Sequence, residues 1–179
     1  GLRGLFLMAK KKVLICGASG FIGRNIAQRL AGRTDIDLYG TYFQTDLTES
    51  DFDRKKIKLH RVDLTNRREV EQLIEGKDVV IQAAAVTTGI RDVVNKPYIH
   101  VTDNAIMNSI IFRECFEHRI KHVVFFSCTT MYPSQEHPVA EDNFDGEIVD
   151  KYFGVGWTKV YIEKMCEFFS TQGSTRFTV

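Results

Sequence analysis

A chain of 179 residues, of which 44% are hydrophobic and 26% charged, has the size and composition of one globular domain. Its formal net charge of +1 gives no electrostatic reason to expect a nucleic acid or a membrane surface as a partner, and its apolar runs are too short to span a membrane. We expect residues 1–11 to be a flexible extension and residues 12–179 to form the domain.

Short β-rich runs alternate with longer amphipathic segments along the chain. Strands are predicted at residues 12–17, 36–43, 56–63, 78–85, 122–128 and 176–179. Helices are predicted at residues 21 to about 31, 67–75, 102–117 and 157–169. In the third helix, the spacing of one helical face is shown by Ile106, Ile110, Ile111 and Cys115. The alternation predicts a doubly wound, Rossmann-like parallel sheet in three αβα layers, with a ligand crevice at the carboxyl ends of the strands.

The motif GASGFIG joins the first predicted strand to the first predicted helix. Gly17 permits a tight turn, Gly20 lets the backbone approach a pyrophosphate, and Gly23 lets the helix pack closely on the strand. The helix N-terminus adds N–H groups and a partial positive charge. The motif therefore predicts a dinucleotide site. Its expected residues are Gly17, Ser19, Gly20, Phe21, Ile22 and Gly23.

The Gly-x-x-Gly-x-x-Gly spacing resembles that of the extended short-chain dehydrogenases/reductases, a family that contains the NAD(P)-dependent epimerases and dehydratases of nucleotide sugars. The segment VDLTN at residues 62–66 is similar to the family's third-strand motif, which implies that Asp63 and the adjacent Leu64 contact the cofactor, Asp63 at its adenine. Asp63 has a second interpretation, because an acid at this point can also cap the helix that follows.

The segment VIQAAAVTTG at residues 80–89 extends the resemblance, because it is similar to the family's His-x-Ala-Ala loop. It implies that the cofactor lies against Ala83, Ala84 and Ala85, although three alanines are also typical of close packing. Asn104 falls where the family has an asparagine in its central helix, and it is expected at the cofactor as well.

The end of the second strand bears on the choice of cofactor. NAD-selective members usually carry an acid there that bonds both ribose hydroxyls, whereas an NADP site supplies cations for a phosphate. Counting from Gly17, this position is about Thr41, and no acid stands there. Arg61 is a candidate partner for the phosphate. We expect NADP or NAD, with NADP favoured.

The family's chemistry uses a serine or threonine, a tyrosine and a lysine, the last two lying four residues apart on one helix face. Lys159 and Glu163 match the pattern YGxSKxxxE, and the resemblance implies that Lys159 also holds the nicotinamide ribose. Val155 occupies the tyrosine position and cannot transfer a proton. Tyr152 precedes Lys159 by seven residues, so it is interpreted either as a displaced catalytic phenol or as a surface side chain.

The segment FFSCTTMYP resembles the hydroxyl-bearing segment of the GDP-fucose synthase-like epimerase/reductases of this family. Counting back from Tyr132 puts the hydroxyl position at Cys128, and its neighbours Ser127 and Thr129 are candidates to supply the hydroxyl. Cys128 itself is interpreted as a buried strand thiol, with a nucleophile as the alternative.

The cysteines predict a reducing compartment. They are widely spaced and form no Cys-x-x-Cys motif, so we expect free thiols in a cytoplasmic protein and no metal site. The four are Cys16, Cys115, Cys128 and Cys166.

Three hypotheses of function follow. The resemblance implies an enzyme that uses NADP or NAD to epimerise, dehydrate or reduce a nucleotide sugar, and relatives form homodimers through the helices at residues 102–117 and 157–169. The alternative is a non-catalytic dinucleotide-binding protein that lost its tyrosine at Val155. Because the chain stops at Val179 inside a predicted strand, we expect a chain truncated before the family's C-terminal substrate region, and a truncated reading frame is the third hypothesis.

Overall fold

A six-stranded parallel sheet forms the centre of the molecule in the computed structural model, which describes residues 8–45, 47, 52–86, 95–127 and 153–179. The strands are β1 (Lys11–Cys16), β2 (Ile36–Tyr42), β3 (Lys58–Arg61), β4 (Val79–Gln82), β5 (His122–Phe125) and β6 (Arg176–Thr178). Their order is β3-β2-β1-β4-β5-β6, and all neighbours pair in parallel. This order confirms the predicted doubly wound fold, and the direction of winding reverses between β1 and β4, where such sheets bind ligands.

The helices cover both faces of the sheet. They are α1 (Phe21–Leu30), α2 (Arg67–Ile74), α3 (Tyr98–Glu117) and α4 (Phe153–Gln172). Val13 and Ile15 of β1 are buried in the cluster that contains Ala27 of α1. Leu14 and Cys16 are buried in the opposite cluster, to which α2, α3 and α4 contribute. The central strand β1 is thus apolar on both faces, as parallel sheets require. Among the described residues, no helix is both long and apolar enough to cross a membrane.

The third and fourth helices are longer than the sequence predicts. Helix α3 begins at Tyr98, directly after Pro97, because proline is well suited to the start of a helix. Helix α4 begins at Phe153 although it contains two glycines near its start. A Cβ on Gly154 would lie 2.8 Å from Val101 Cγ2 of α3, so the small residue allows close helix packing that offsets its poor helix propensity.

The predicted apolar face of α3 is wrong in one respect. Ile111 and Cys115 are buried, but the side chain of Ile106 is 46% exposed. The buried face instead includes the amides of Asn104 and Asn108, because tertiary hydrogen bonds satisfy them.

Strands β3, β4 and β5 end earlier than predicted. After β3, the Asp63 N–H donates to Glu69 Oε2 (2.9 Å) and the chain leaves the sheet. The residues that follow β3 and β4 therefore become loop backbone at the carboxyl edge of the sheet, where they are available to form a site.

Candidate functional site

A cavity of about 330 Å³ lies at the carboxyl ends of β1 to β4. Nine residues of its wall were predicted as cofactor contacts: Gly17, Ser19, Gly20, Thr41, Asp63, Leu64, Ala83, Ala84 and Ala85. The rest of the wall was not predicted and comprises Tyr42, Phe43, Gln44, Thr45, Val62, Thr65, Val86, Asp103 and Met107. The topology thus brings four separate predicted segments to one cavity.

The glycine turn requires its first and third glycines. Gly17 has a φ of +78°, a conformation that other residues rarely adopt, and a Cβ there would lie 2.5 Å from Ala84 Cα. A Cβ on Gly23 would lie 2.0 Å from the Gly17 carbonyl oxygen. Helix α1 and the loop after β4 therefore approach the turn so closely that no side chain fits between them.

Gly20 differs from these two glycines, because the space beside it is open. Among the described residues, the one atom within 4 Å of an added Cβ would be the Gly17 carbonyl oxygen, at 3.5 Å, and Gly20 lines the cavity. Gly20 is also the N-cap of α1, whose first turn carries no acid and receives no side-chain cap from the described residues. The unpaired N–H groups of this turn and the open space beside it fit a phosphate group. Phe21, Ile22 and Gly23 follow on the helix and are not part of the cavity wall.

Thr41 holds the glycine turn from the end of β2. Its hydroxyl accepts a hydrogen bond from Gly17 N (2.9 Å), and its carbonyl accepts one from Ala18 N (2.8 Å). Two residues later along the chain, Phe43 lines the cavity. Arg61 contacts it twice: the Arg61 Nε donates a hydrogen bond to the Phe43 carbonyl (3.2 Å), and the guanidinium lies 5.9 Å from the centroid of the Phe43 ring. The neutral side chain of Thr41 therefore occupies the position at which NAD-selective members carry an acid. The cation of Arg61 contacts Phe43 of the cavity wall but does not line the cavity itself.

The interpretation of Asp63 as the cap of α2 is wrong, and its contact with a cofactor stays a prediction. Its Oδ1 accepts hydrogen bonds from Thr65 N (2.9 Å) and Thr65 Oγ1 (2.7 Å), which fixes the turn before α2. The cap of α2 itself is Asn66, whose Oδ1 accepts from Arg68 N and Glu69 N. Asp63 also lines the cavity.

A chain of buried amides, missed by the sequence interpretation, supports the loop after β4. Gln82 Oε1 accepts from Ala84 N (3.1 Å), and Gln82 Nε2 donates to Ala84 O (3.1 Å) and Asn108 Oδ1 (2.8 Å). Asn108 Nδ2 donates to Asn104 O (2.8 Å), and Asn104 Oδ1 accepts from Val86 N (2.8 Å). Asn104 acts on the wall through Val86 and does not line the cavity itself, so its contact with a cofactor stays a prediction. The signal that was available is a glutamine within an otherwise apolar strand.

Lys159 lies at the carboxyl end of β5. Its Nζ is 4.9 Å from the ring centroid of Phe125, the last residue of that strand. Val155 lies one helical turn earlier on α4 and its side chain is 40% exposed. Ser127 Oγ is buried and has no hydrogen-bond partner among the described residues. Three predicted catalytic candidates lie outside the described residues: Cys128, Thr129 and Tyr152.

The described cysteines are free thiols with no sign of activation. Cys16 directly precedes the glycine turn, but it is fully buried, and the loss of solvation raises its pKa to about 12. Burial likewise raises the pKa of Cys166 to about 12 and holds that of Cys115 well above its usual range. A thiol of this kind stays protonated at neutral pH and is a poor nucleophile.

Comparison with known proteins agrees with this geometry. The model of the NAD dependent epimerase/dehydratase family matches residues 13–179. The chain belongs to this family. A GDP-L-fucose synthase of Azorhizobium caulinodans is 30% identical over 162 residues, which cover 88% of this chain and 46% of that protein. The UDP-glucose 4-epimerase GEPI48 of Cyamopsis tetragonoloba is 25% identical, with 89% and 47% covered.

Solved structures of other proteins share the fold. The UDP-glucose 4-epimerase of Thermus thermophilus, in complex with NAD, has a TM-score of 0.76 and 18% identity, with 93% of this chain and 53% of that chain covered. The Brucella ovis UDP-glucose 4-epimerase, also in complex with NAD, has a TM-score of 0.76 and 22% identity, with 93% and 50% covered. The chain spans about half the length of the curated relatives that it matches.

Proposed function

We propose that the cavity binds NADP or NAD and that the protein acts on a nucleotide sugar by hydride transfer, as an epimerase, dehydratase or reductase of this family. The observation that carries this proposal is the open space at Gly20, below a helix N-terminus that no described side chain caps. The names of the relatives support a nucleotide sugar as the substrate class, and the NAD complexes of two structural neighbours support the cofactor class.

The residues present fit a dinucleotide. The N–H groups of Phe21 and Ile22 at the start of α1 would hold the diphosphate, and the loop from Ala83 to Ala85 would lie against the rest of the cofactor. The bound nicotinamide would supply the hydride acceptor or donor. Lys159 would hold the ribose and lower the pKa of a nearby acid by its positive charge. Ser127 would orient a reacting oxygen, and its buried hydroxyl without a partner among the described residues supports this role.

We favour NADP over NAD. An acid at the end of β2 would repel a 2′-phosphate, and this structure has Thr41 there, with its hydroxyl committed to Gly17. The described part of the wall after β2, Tyr42 to Thr45, also contains no acid. Arg61 contacts Phe43 of the same wall. We propose that its side chain rotates toward the cavity when NADP binds and pairs with the 2′-phosphate.

A non-catalytic dinucleotide-binding protein is the second candidate, and Val155 favours it. The residue is exposed one turn before Lys159, where the family places its acid, and it has no proton to transfer. Hydride transfer to a 4-keto nucleotide sugar would support the enzyme. Tight cofactor binding without turnover on any such sugar would support the second candidate.

The proposal is tested with a substitution at Gly20 that should weaken cofactor binding without changing the fold. Its backbone (φ −74°, ψ 169°) is accessible to any residue, and an added Cβ meets no atom of the described residues closer than 3.5 Å, so we expect Gly20→Val to fold normally. Its side chain would occupy the phosphate space, so calorimetry should show NADPH affinity reduced by at least ~10-fold, as expected for the loss of charge-assisted hydrogen bonds. Gly32→Val is the matched control, because nothing lies within 4 Å of its Cβ position. If the unmodified protein gives no heat with NADPH or NADH, the proposal fails.

We also propose a homodimer formed through α3 and α4. Helix α4 exposes Phe153, Trp157 and Tyr161 at four-residue steps along one face, and α3 exposes Ile106. Such a row of exposed apolar side chains supports an interface with a second copy. Sedimentation equilibrium should give twice the mass of the chain.

A cytoplasmic location is part of the same proposal. The free thiols of Cys16, Cys115 and Cys166 support a reducing compartment, in which such side chains do not form disulfides.

A further inference from the structure

Three lysines from three different elements lie near the ring of Tyr39, at the amino ends of the strands. Lys58 is directly opposite Tyr39 in the register of β2 and β3, and its Nζ is 5.1 Å from the centroid of the Tyr39 ring. Lys77, between α2 and β4, has its Nζ 4.4 Å from the same centroid. Lys12 of β1 comes two residues before Leu14, which is buried on the face of the sheet that Tyr39 packs against. We call Lys12, Lys58 and Lys77 the lysine cluster.

The positive charges of the lysine cluster act on one another. Lys77 is half-buried, and its N–H donates to the Ile74 carbonyl (3.1 Å), which closes the turn after α2. The pKa of the Lys77 amine is lowered by its burial and by the charges of Lys12 and Lys58. Lys12 and Lys58 are exposed, so water screens their charges more than that of Lys77. The fold therefore holds an ammonium group beside two others of the same sign.

The acids beside the lysine cluster do not neutralise it. Asp78 Oδ2 accepts a hydrogen bond from the backbone N–H of Lys12 (2.8 Å), and Asp78 Oδ1 lies 3.6 Å from Lys121 Nζ. Asp37, opposite Lys12 in the register of β1 and β2, and Glu75, two residues before Lys77, form no ion pair with any described residue. The lysines that have an ion pair within the described part of the chain are Lys56, Lys121 and Lys164. The cluster is thus left to attract an anion from solution.

We propose that the lysine cluster is an anion site that binds a phosphate group. Each ammonium offers three N–H donors, and a phosphate monoester offers three acceptor oxygens and almost two negative charges at neutral pH. A carboxylate would offer two oxygens and one charge. Rotation of the exposed side chains of Lys12 and Lys58 brings their ammonium groups to an anion bound by Lys77 at the edge of the Tyr39 ring.

This site is separate from the proposed dinucleotide cavity. The cavity lies at the carboxyl ends of the strands, whereas the lysine cluster lies at their amino ends, and none of its members lines the cavity. The inference therefore does not depend on the proposed function. The phosphate group can belong to free phosphate or to an ester of a small metabolite, and the experiment separates the two sources.

The test is an NMR titration of the isotope-labelled protein with inorganic phosphate and, separately, with glycerol 3-phosphate, at neutral pH and constant ionic strength. The Tyr39 ring signals should shift and saturate, and the pKa of Lys77 should rise, because a bound anion favours the charged amine. Lys77→Gln should weaken binding at least ~10-fold, as expected for the loss of a charge-assisted hydrogen bond. Lys164→Gln is the control and should keep the affinity, because this amine of α4 is already paired with Glu167 (2.7 Å).

Three outcomes overturn the inference: Tyr39 shifts that sodium chloride reproduces at the same ionic strength, saturable binding that Lys77→Gln leaves unchanged, and shifts confined to the glycine turn. Weaker binding in Lys77→Gln but not in Lys164→Gln, with an unchanged melting temperature, supports it. If Lys77→Gln does not fold, Lys58→Gln, at an exposed position of the same cluster, replaces it with the same expected loss. Within a supporting result, tighter binding of glycerol 3-phosphate identifies a phosphate ester as the ligand, and equal or weaker binding identifies free phosphate.

Discussion

The proposed cofactor end of the molecule, at the glycine turn, and its proposed catalytic end, at the start of α4, are built in different ways. At the glycine turn, the site is made by the backbone: the positive φ of Gly17 and the close approach of Gly23 to the Gly17 carbonyl leave little choice of residue. At the start of α4, the proposed chemistry would depend on single side chains, and Val155 stands at the position for which the resemblance implies a tyrosine. A backbone site cannot lose one element without disturbing the fold, whereas a side-chain site can. We therefore expect the cofactor end to be preserved in this chain and the catalytic end to be altered.

The largest effect is expected from restoring the phenol at Val155. Val155→Tyr should raise the rate of NADPH oxidation with a 4-keto nucleotide sugar by ~10²–10⁴-fold, the usual contribution of general acid–base catalysis. The reason is that position 155 lies one turn before Lys159 on an exposed part of α4, so the hydroxyl and the ammonium share one helix face. The rate is followed by the absorbance of the reduced nicotinamide.

Val155→Phe is the control for this experiment, because it adds the ring without the hydroxyl. An equal gain in both variants would mean that the ring acts by packing and would remove proton transfer from the explanation. No gain in either variant, with NADPH still bound, would mean that the catalytic end differs from the family in more than one residue.

The next largest effect is expected at Gly23. A Cβ there would lie 2.0 Å from the Gly17 carbonyl oxygen, so Gly23→Ala must move helix α1 or the turn. Urea denaturation should show the free energy of unfolding reduced by about 3 kcal/mol or more, at the upper end of overpacking effects. Gly32→Ala, whose Cβ position is open, should change it by less than about 0.5 kcal/mol. Equal stability of the two variants would refute a turn built by close backbone packing.

The same contrast explains what could be predicted from the sequence. The strands and the glycine turn were predictable because short apolar runs and glycine spacing act locally. The start of α4 was not, because glycine has a low helix propensity and the close packing of Gly154 against Val101 of another helix is not visible in the local sequence. Likewise, Gln82 and Asn108 are 26 residues apart, and nothing local indicates that their amides pair.

The residues of the cavity wall also fall into two groups, those that local sequence patterns indicate and those that depend on tertiary packing. Residues at strand ends, such as Asp63 and Ala84, were predictable because parallel strands end at one edge of the sheet. Asp103 and Met107 reach the cavity only because α3 packs beside that edge, and the position of a helix on a sheet depends on tertiary packing.

The smallest effect is expected on the preference for NADP over NAD. It tests whether a side chain, in addition to the backbone, determines which cofactor binds. Arg61→Ala removes the cation behind Phe43, so the dissociation constant for NADPH should rise by ~10-fold while that for NADH changes by less than ~2-fold. The modest size follows from solvent exposure of Arg61, which screens its charge. Calorimetry with both cofactors measures the two constants.

Arg54→Ala is the matched control, because it removes one exposed positive charge from a turn that does not line the cavity. If Arg61→Ala weakens NADPH and NADH equally, the guanidinium supports Phe43 and the wall rather than a phosphate, and the case for NADP would then depend on Thr41 alone. If raising the salt concentration weakens NADPH more than NADH in the unmodified protein but not in Arg61→Ala, the interaction is ionic. The preference for NADP over NAD would then depend on the side chain of Arg61, even though the phosphate site itself is formed by the backbone of the glycine turn.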